Sequence, residues 1–390
     1  MATCLTKNPI IIYSLTYSSV HLLWYILCAG RSSVLVHAVK ILLRKCEDMN
    51  EVMDVLEEKA HLFVEKLLSE GAATPCDDTA DSFNQNADLP PFYDEELFKR
   101  GQAFYHRNIF ALFTAKLFGL IAVLSIPSIL QILKHTKMSG TNMTAYRRYV
   151  ATIFHMNIWY DAEFKPGSKL WQSIKEVKNL HNSASNRGCK AGLHRISQKD
   201  MVLTQFGFMG FQLTREKMLG VHNATPEEWM AFIHVWRVVG HMLGIEDRFN
   251  ICNGSVAEVK ARCEKLIQQV FIPHIKKNDP EFLQMSRYLV NGLWAINPIL
   301  NFNAVMCSMQ FLLANKINYD SMEYKKLHFW EKLLLVFIAF VLFSLRWAPF
   351  RWYHNSSKYR DFWLMEHFPF LGYYKYGFKN AHVKILGKDM

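Results

Sequence analysis

The feature that most constrains the fold of this chain is the spacing of its apolar residues. From position 140 to about position 315, apolar side chains recur every three or four residues, and alternation with a period of two is scarce. A period near 3.6 places side chains on one face of a helix, whereas a strand needs a period of two. The sequence therefore predicts a mainly α fold. Its 390 residues suffice for one large domain or two ordinary ones.

Two long apolar stretches have more than one interpretation. Residues 9–30 carry no formal charge, which fits a signal peptide, a signal anchor or an amphipathic N-terminal helix. Residues 108–133 form the most hydrophobic stretch in the middle of the chain, and Lys116 and Pro127 interrupt it. That pattern fits either a membrane span or a buried helix kinked at the proline.

A third apolar run lies near the C-terminus. Residues 333–345 are uncharged but short for a membrane span. Aromatic residues and basic residues flank the run on both sides, and such side chains extend an effective span at the membrane interface. We therefore expect a transmembrane or membrane-embedded helix over residues 329–350. The basic, aromatic tail over 351–390 is typical of a segment at a membrane surface.

The charge balance indicates an acidic partner. The formal net charge is +11 and the sequence pI is about 9.1. The basic residues are scattered singly or in short groups, and no compact basic and aromatic run resembles a nucleic-acid-binding surface. We therefore expect anionic lipid as the partner, and no binding to nucleic acid.

The spacing of cysteines and histidines excludes several common metal sites. No CxxC pair occurs, which excludes a zinc ribbon, a thioredoxin motif and covalent haem attachment. The closest histidines, His234 and His241, are too far apart for a helix-borne zinc site or a histidine-box di-iron site. Only one Glu-x-x-His pair is present, Glu58 with His61, whereas a bundle-type di-iron site needs two. The chain also lacks a GxSxG elbow and a phosphate-binding loop.

A metal site that needs only one protein ligand remains possible. A haem site is of this kind, because the porphyrin supplies four nitrogen ligands to the iron. The segment around His181 has helical spacing. Leu170, Ile174, Val177 and His181 share one face, so the imidazole continues an apolar stripe. The alternative interpretation of His181 is a hydrogen-bonded core histidine.

A second predicted helix carries polar groups along one face. These are Arg148, Thr152, His155 and Trp159, and polar groups of this kind need partners when they are buried. They fit a pocket lining in which Arg148 meets a propionate or dioxygen and Thr152 donates a hydrogen bond. The alternatives are a solvated basic face for the polar residues and plain core packing for Trp159.

Five sequence blocks in this region resemble, in order, the catalytic domain shared by bacterial latex clearing proteins and the fungal mpaB oxygenases. Arg148-Tyr-Val-Ala-Thr152 resembles the family's R-x-x-x-T segment, and Val177-Lys-Asn-Leu-His181 resembles its V-R-x-x-H segment. Blocks at 196–208, 234–245 and 247–252 follow, and the similarity covers roughly residues 90–315. The resemblance implies a globin-like helical domain that holds non-covalent haem b.

The resemblance also implies roles for individual residues. His181 would be the proximal iron ligand, and Arg148 and Thr152 would lie on the distal helix as catalytic residues. Arg148, Arg187 and Arg237 would contact the cofactor, although a surface role for Arg187 and a packing role for Arg237 stay open. Members of the family add dioxygen to carbon–carbon double bonds of isoprenoid chains and cleave them.

One position departs from the family pattern. Latex-cleaving members can carry a lysine directly before the threonine, able to cap the distal iron face, and here that position is Ala151. His155 and His241 are speculative candidates for the distal role. The departure argues against polymer cleavage and favours a smaller membrane lipid or isoprenoid as substrate.

These observations predict four segments and one function. The segments are an N-terminal part (1–89), a haem domain (90–315), a membrane helix (329–350) and a basic aromatic tail (351–390). The predicted function is a haem b-dependent oxygenase of the membrane, at the endoplasmic reticulum, with dioxygen and an unsaturated lipid as substrates. The alternatives are a non-catalytic haem or lipid carrier and a structural membrane protein with three spans.

Overall fold

A computed structural model describes residues 33–77 and 89–387, with side chains from Asn50 onward. The chain divides into two compact units, Met1–Glu58 and Lys59–Met390. Apart from one isolated bridge between Pro75 and Ser197, the regular elements of the described residues are helices. The predicted mainly α fold is confirmed. The predicted segment 9–30 lies outside the described residues.

The described chain begins with nine α-helices. They are α1 (Ser33–Ala73), α2 (Glu95–Arg107), α3 (Ile109–Leu124), α4 (Pro127–Thr136), α5 (Asn142–Asp161), α6 (Lys169–Lys190), α7 (Gln198–Thr214), α8 (Pro226–Met242) and α9 (Val256–Leu266). A π-helical segment, Ile267–Phe271, continues α9 into α10 (Ile272–Lys276). The remaining helices are α11 (Pro280–Leu293), α12 (Phe302–Ala314), α13 (Met322–Lys325), α14 (Phe329–Ser344), α15 (Ala348–His367), α16 (Phe370–Tyr376) and α17 (Phe378–Ala381).

Side chains define where the central helices begin. Thr141, Ser197 and Thr225 each cap a helix and form reciprocal capping boxes with Thr144, Asp200 and Glu228. Each box satisfies backbone N–H groups that a helix start leaves without partners. Asp200 thus completes the capping box at the start of α7.

Glycines set the closest helix crossings. Helix α3 crosses α7 where Gly119 meets Gly207, and a Cβ on Gly119 would lie 1.7 Å from the Gly207 carbonyl oxygen. Helix α2 crosses α8 in the same way, because a Cβ on Gly101 would lie 2.3 Å from the Ala231 oxygen. The two helix pairs are therefore in backbone contact, as in closely packed helix crossings.

The apolar stretch at 108–133 forms two helices rather than one. Helix α3 ends at Leu124 and α4 begins at Pro127, so the proline breaks the stretch as expected. Eleven of the sixteen residues of α3 are buried. Lys116 is buried among them, with its Nζ 4.3 Å from the Tyr105 ring centroid and 4.7 Å from that of Tyr160. These contacts support the buried-core interpretation.

The predicted membrane helix over 329–350 is also two helices. Helix α14 has sixteen residues, and α15 follows after a bend of 114°. Among the described helices, none is by itself long and apolar enough to cross a membrane. Two bent pairs, α2 with α3 and α14 with α15, meet the length and composition requirement only when taken together.

Candidate functional site

The candidate site lies between α5 and α6, which the loop 162–168 joins. Trp159 and His155 of α5 both contact Ser173 of α6, and His155 also faces Glu176. Trp159, near the end of α5, contacts Ser173, and His155, one turn earlier on α5, also faces Glu176, which lies farther along α6. The two helices are therefore antiparallel. Ser168 caps α6 by accepting from the Trp171 N–H, which fixes where α6 starts.

His181 is a half-buried side chain on α6. Its Nδ1 atom is buried and has no hydrogen-bond partner among residues 33–77 and 89–387. Burial, with smaller contributions from nearby Arg148 and His155, lowers the pKa of His181 to about 4. The imidazole is therefore neutral near pH 7, which is the form that binds a metal.

Arg148 and Thr152 lie on α5 and are half-buried. Arg148 Nη1 donates to the Ser139 hydroxyl at 3.0 Å, and in the described part of the chain no carboxylate pairs with this guanidinium. Thr152 donates its hydroxyl to the Arg148 carbonyl at 3.1 Å. The Arg148 charge is therefore available to an anionic group, and the Thr152 hydroxyl is available as an acceptor.

His155 is the centre of a buried polar chain. Its Nδ1 lies 2.8 Å from the Ser173 hydroxyl, and its Nε2 lies 3.9 Å from Glu176 Oε1. Trp159 Nε1 donates to the same Ser173 hydroxyl at 3.0 Å. Burial lowers the pKa of His155 to about 4, so this imidazole is also neutral near pH 7.

The donors and acceptors of this chain settle the tautomer of His155. An indole N–H can only donate, so the Ser173 oxygen accepts from Trp159. Ser173 is fully buried, and its hydroxyl hydrogen has His155 Nδ1 as its acceptor. Nδ1 of His155 is therefore unprotonated, and the proton sits on Nε2, facing the Glu176 carboxylate.

The C-terminal segment lies over these two helices. Arg147 donates to the carbonyl oxygens of Asn380 and His382, at 2.9 and 3.0 Å. Farther along the segment, the Leu386 N–H donates to Glu176 Oε2 at 2.8 Å. A groove of about 390 Å³ remains beside this contact, lined by Gln172, Lys175, Glu176, Asn179, Leu180 and Leu386. We call residues 378–387 the C-terminal strap.

The other predicted site residues lie in different surroundings. Arg187 is exposed and donates to the Ser183 carbonyl of its own helix. Arg237 pairs with Asp247 at 2.9 Å and covers the Phe92 ring at 3.9 Å. His241 packs edge-on against Phe92, with ring centroids 5.4 Å apart, and its Nδ1 is buried without a partner in the described chain. These contacts of Arg237 fit a packing role, which is one of the two roles that the sequence allows for this residue.

Sequence reasoning identified His181, Arg148, Thr152 and His155 but missed two partners. Ser173 and Glu176 complete the polar chain, and neither was singled out. The one sequence signal for these partners was Ser173, whose hydroxyl lies beside the apolar stripe of α6 and faces the polar stripe of α5. In the described residues, no three His, Cys, Asp or Glu side chains converge as a metal site.

Comparisons with known proteins agree with this architecture. A family model described as "ER-bound oxygenase mpaB/B'/Rubber oxygenase, catalytic domain" matches residues 104–314, which is more than half of the chain. The solved structure of latex clearing protein LCP in the closed state is similar to this chain, with a TM-score of 0.51 and 16% sequence identity. The match covers 80% of this chain and 88% of that structure, and it shows a shared fold. No curated protein matches the sequence.

Proposed function

Because the chain belongs to the mpaB and rubber-oxygenase catalytic-domain family, a family of oxygenases, we propose that it is a haem b-dependent oxygenase. Its substrates are dioxygen and an unsaturated membrane lipid or isoprenoid, and oxidative cleavage of the double bond is the reaction. The observation that carries the proposal is His181, a neutral, half-buried imidazole whose Nδ1 has no partner in the described chain.

The residues at the site fit a haem. A histidine that serves as an axial ligand must be neutral, and the pKa of His181 is lowered to about 4. The uncompensated, half-buried charge of Arg148 suits a propionate, because a guanidinium is costly to bury without an anionic partner. His181 would hold the iron, and Arg148 would hold the anionic edge of the cofactor. Arg187 and Arg237 remain predicted cofactor contacts.

The remaining residues of the site position groups and exclude water. Haem iron supplies dioxygen activation when it is bound. Ser173 fixes the ring of His155 between Trp159 and Glu176, so this part of α5 presents a fixed, dry surface. The Thr152 hydroxyl is directed to its own backbone and keeps its lone pairs for an incoming donor. The half-buried Ala151 leaves room where latex-cleaving relatives can carry a lysine.

Dioxygen consumption tests this function directly. The protein is loaded with haem, reduced, and supplied with an isoprenoid such as squalene in detergent. We expect oxygen uptake that depends on the isoprenoid and yields carbonyl products, and we expect His181→Ala to abolish it. The matched control is His135→Ala, because His135 is an exposed helical histidine. A haem-loaded protein that consumes no oxygen with any unsaturated lipid would contradict the proposed reaction.

A non-catalytic haem or lipid carrier is the second candidate function. The observation that favours it is Ala151, which supplies no polar group beside Thr152. A carrier would bind haem through His181 and bind lipid stoichiometrically, without oxygen uptake. The same assay therefore separates the two candidates.

We also propose that the protein works at a membrane, at the endoplasmic reticulum. The net charge of +11 and a lipid substrate support this location. The family description contains the term "ER-bound", which is in line with it.

A further inference from the structure

Exposed apolar side chains are concentrated at the C-terminal end of the protein. Of the large hydrophobic residues exposed in the described chain, nine precede Ile317 and twenty lie between Ile317 and Phe378. Single exposed apolar residues are ordinary, but soluble monomers rarely expose large apolar patches. This concentration needs a partner that covers it.

Helix α14 has one face bound to the protein and one face bare. Glu331 on the inner face accepts a hydrogen bond from Asn303 at 2.8 Å, and Leu335 and Val341 are buried there. On the outer face, Trp330 is 74% exposed and Phe340 is 60% exposed. Because the inner face is packed on the protein and carries a polar contact, lipid cannot surround this helix.

Helix α15 is bound in the same one-sided manner. Asn355 donates to the Arg107 carbonyl at 2.7 Å and accepts from the Phe110 N–H, which ties α15 to the core helices. Its outer face exposes Trp352 and Trp363. The two outer faces connect at the bend, where the Phe343, Trp347 and Phe350 rings follow one another at 5.5 and 6.1 Å. We call these two outer faces the aromatic surface; its members include Trp330, Phe337, Phe340, Trp347, Trp352 and Trp363.

Basic residues accompany the aromatic surface. Across α14, the bend and α15, from Phe329 to His367, the sequence has five Lys or Arg residues and three Asp or Glu residues. Two of the three acids are already engaged, since Glu331 is buried and Asp361 pairs with Lys358. Arg346 lies at the bend with its guanidinium 3.5 Å from the Phe343 ring centroid. Aromatic rings combined with uncompensated basic charge match the interface of an anionic bilayer.

We propose that the aromatic surface binds an anionic bilayer in plane, entering one leaflet without crossing the membrane. Helix α14 has sixteen residues, which span about 24 Å at 1.5 Å per residue, less than the roughly 30 Å of a bilayer core. The bend of 114° turns α15 away from the axis of α14, so the two helices do not form one continuous rod. This inference rests on the membrane location proposed above and is independent of the haem assignment.

Vesicle binding tests the surface. The full chain is mixed with vesicles of phosphatidylcholine alone or of phosphatidylcholine with phosphatidylserine, and the bound fraction is measured by flotation. We expect binding that is stronger with phosphatidylserine and weaker at high salt. The double variant Phe337→Glu with Phe340→Glu should lose at least roughly tenfold in vesicle partition. The control is Leu62→Glu with Met230→Glu, since both residues are exposed outside the aromatic surface.

Labelling separates in-plane binding from a span. Lys326→Cys precedes α14 and Arg360→Cys lies on α15, and both positions are exposed. An impermeant maleimide added outside sealed vesicles, with peptides mapped by mass spectrometry, should label both cysteines. Labelling of only one would show that the chain crosses the bilayer, and the proposal would be wrong.

Two further results would also overturn the proposal. One is equal binding by the glutamate variant and its control. The other is a wild-type dimer in vesicle-free buffer that the glutamate variant converts to a monomer, because a second copy would then cover the surface. A haem absorption spectrum of each variant keeps this test separate from the enzyme proposal.

Discussion

His155 shows how burial controls the chemistry of single residues in this protein. The ring is 4% exposed, and its hydrogen-bond partner Ser173 is fully buried. A protonated imidazole there would leave Ser173 without its acceptor and would place a charge in a dry interior. The folded structure therefore requires the neutral form of His155, and protonation at low pH should destabilise the folded state.

A pH dependence of stability follows from this burial. The pKa of His155 falls from 6.5 to about 4 on folding, a difference that corresponds to roughly 3 kcal/mol. The unfolded chain binds more protons below pH 6.5, so the free energy of unfolding should fall as the pH falls from 6.5 towards 4. Urea unfolding of the haem-free protein at pH 7 and pH 5 measures this loss.

The variant His155→Gln isolates the contribution of this residue. Other buried histidines have lowered pKa values as well, so the wild type alone does not identify His155. We expect the variant to be less stable at pH 7 but to lose less stability on acidification. An unchanged loss between pH 7 and pH 5 would show that His155 is already protonated or exposed in the folded state.

The residues of the site were only partly predictable from sequence. The stripe of Leu170, Ile174, Val177 and His181 was predicted from helical period, and Leu170 and Ile174 are fully buried. The pairing of Glu176 with His155 was not predictable, because it depends on the register between two helices. The spacing of apolar residues predicts which side chains share one face of a helix. Which residue of the neighbouring helix lies opposite that face depends on how the two helices pack.

At the scale of helices, the fold depends on backbone contact at the glycine crossings. In Gly119→Ala, the new Cβ would lie 1.7 Å from the Gly207 oxygen, so α3 and α7 would have to separate. We expect a loss of about 1–3 kcal/mol or more in the free energy of unfolding. Gly140→Ala is the control, since its nearest neighbour would be 4.0 Å away. Equal Tm values for the two variants would contradict this crossing.

The C-terminal strap gives a second prediction at this scale. Arg147→Ala removes the hydrogen bonds to the Asn380 and His382 carbonyls, each worth about 1.5–3 kcal/mol when the donor is charged. We expect faster amide hydrogen exchange across 378–387 and little change in α3 and α7. If exchange instead rose throughout the molecule, Arg147 would support the whole fold rather than the strap.

Sequence patterns predicted the helix break at Pro127 but not how the helices cross. Pro127 divides the apolar stretch of 108–133 into two helices as expected, because a proline inside a helix removes a backbone hydrogen bond. Gly119 and Gly207 are 88 positions apart, and neither lies in a motif that predicts their contact. The 114° bend between α14 and α15 was also not predicted, since composition alone does not separate one long helix from two.

At the scale of the whole molecule, burial and exposure are unevenly distributed. The core around α3, α7 and α8 is apolar and closely packed, whereas the aromatic surface exposes its rings. The candidate site between α5 and α6 lies under the C-terminal strap, which directly follows the exposed helices α15 and α16 in sequence.

The central proposal is that this fold binds haem through one histidine, His181. Titration with haem tests this proposal most directly. The purified haem-free protein is titrated with haemin and then reduced with dithionite, and absorption spectra are recorded for wild type, His181→Ala and the control His135→Ala. We predict a stoichiometric Soret band in wild type and in the control, and its loss in His181→Ala. A wild type that gives only the spectrum of free haem, with no protein-bound Soret band, or a His181→Ala variant that binds haem with an unchanged spectrum, would contradict the account.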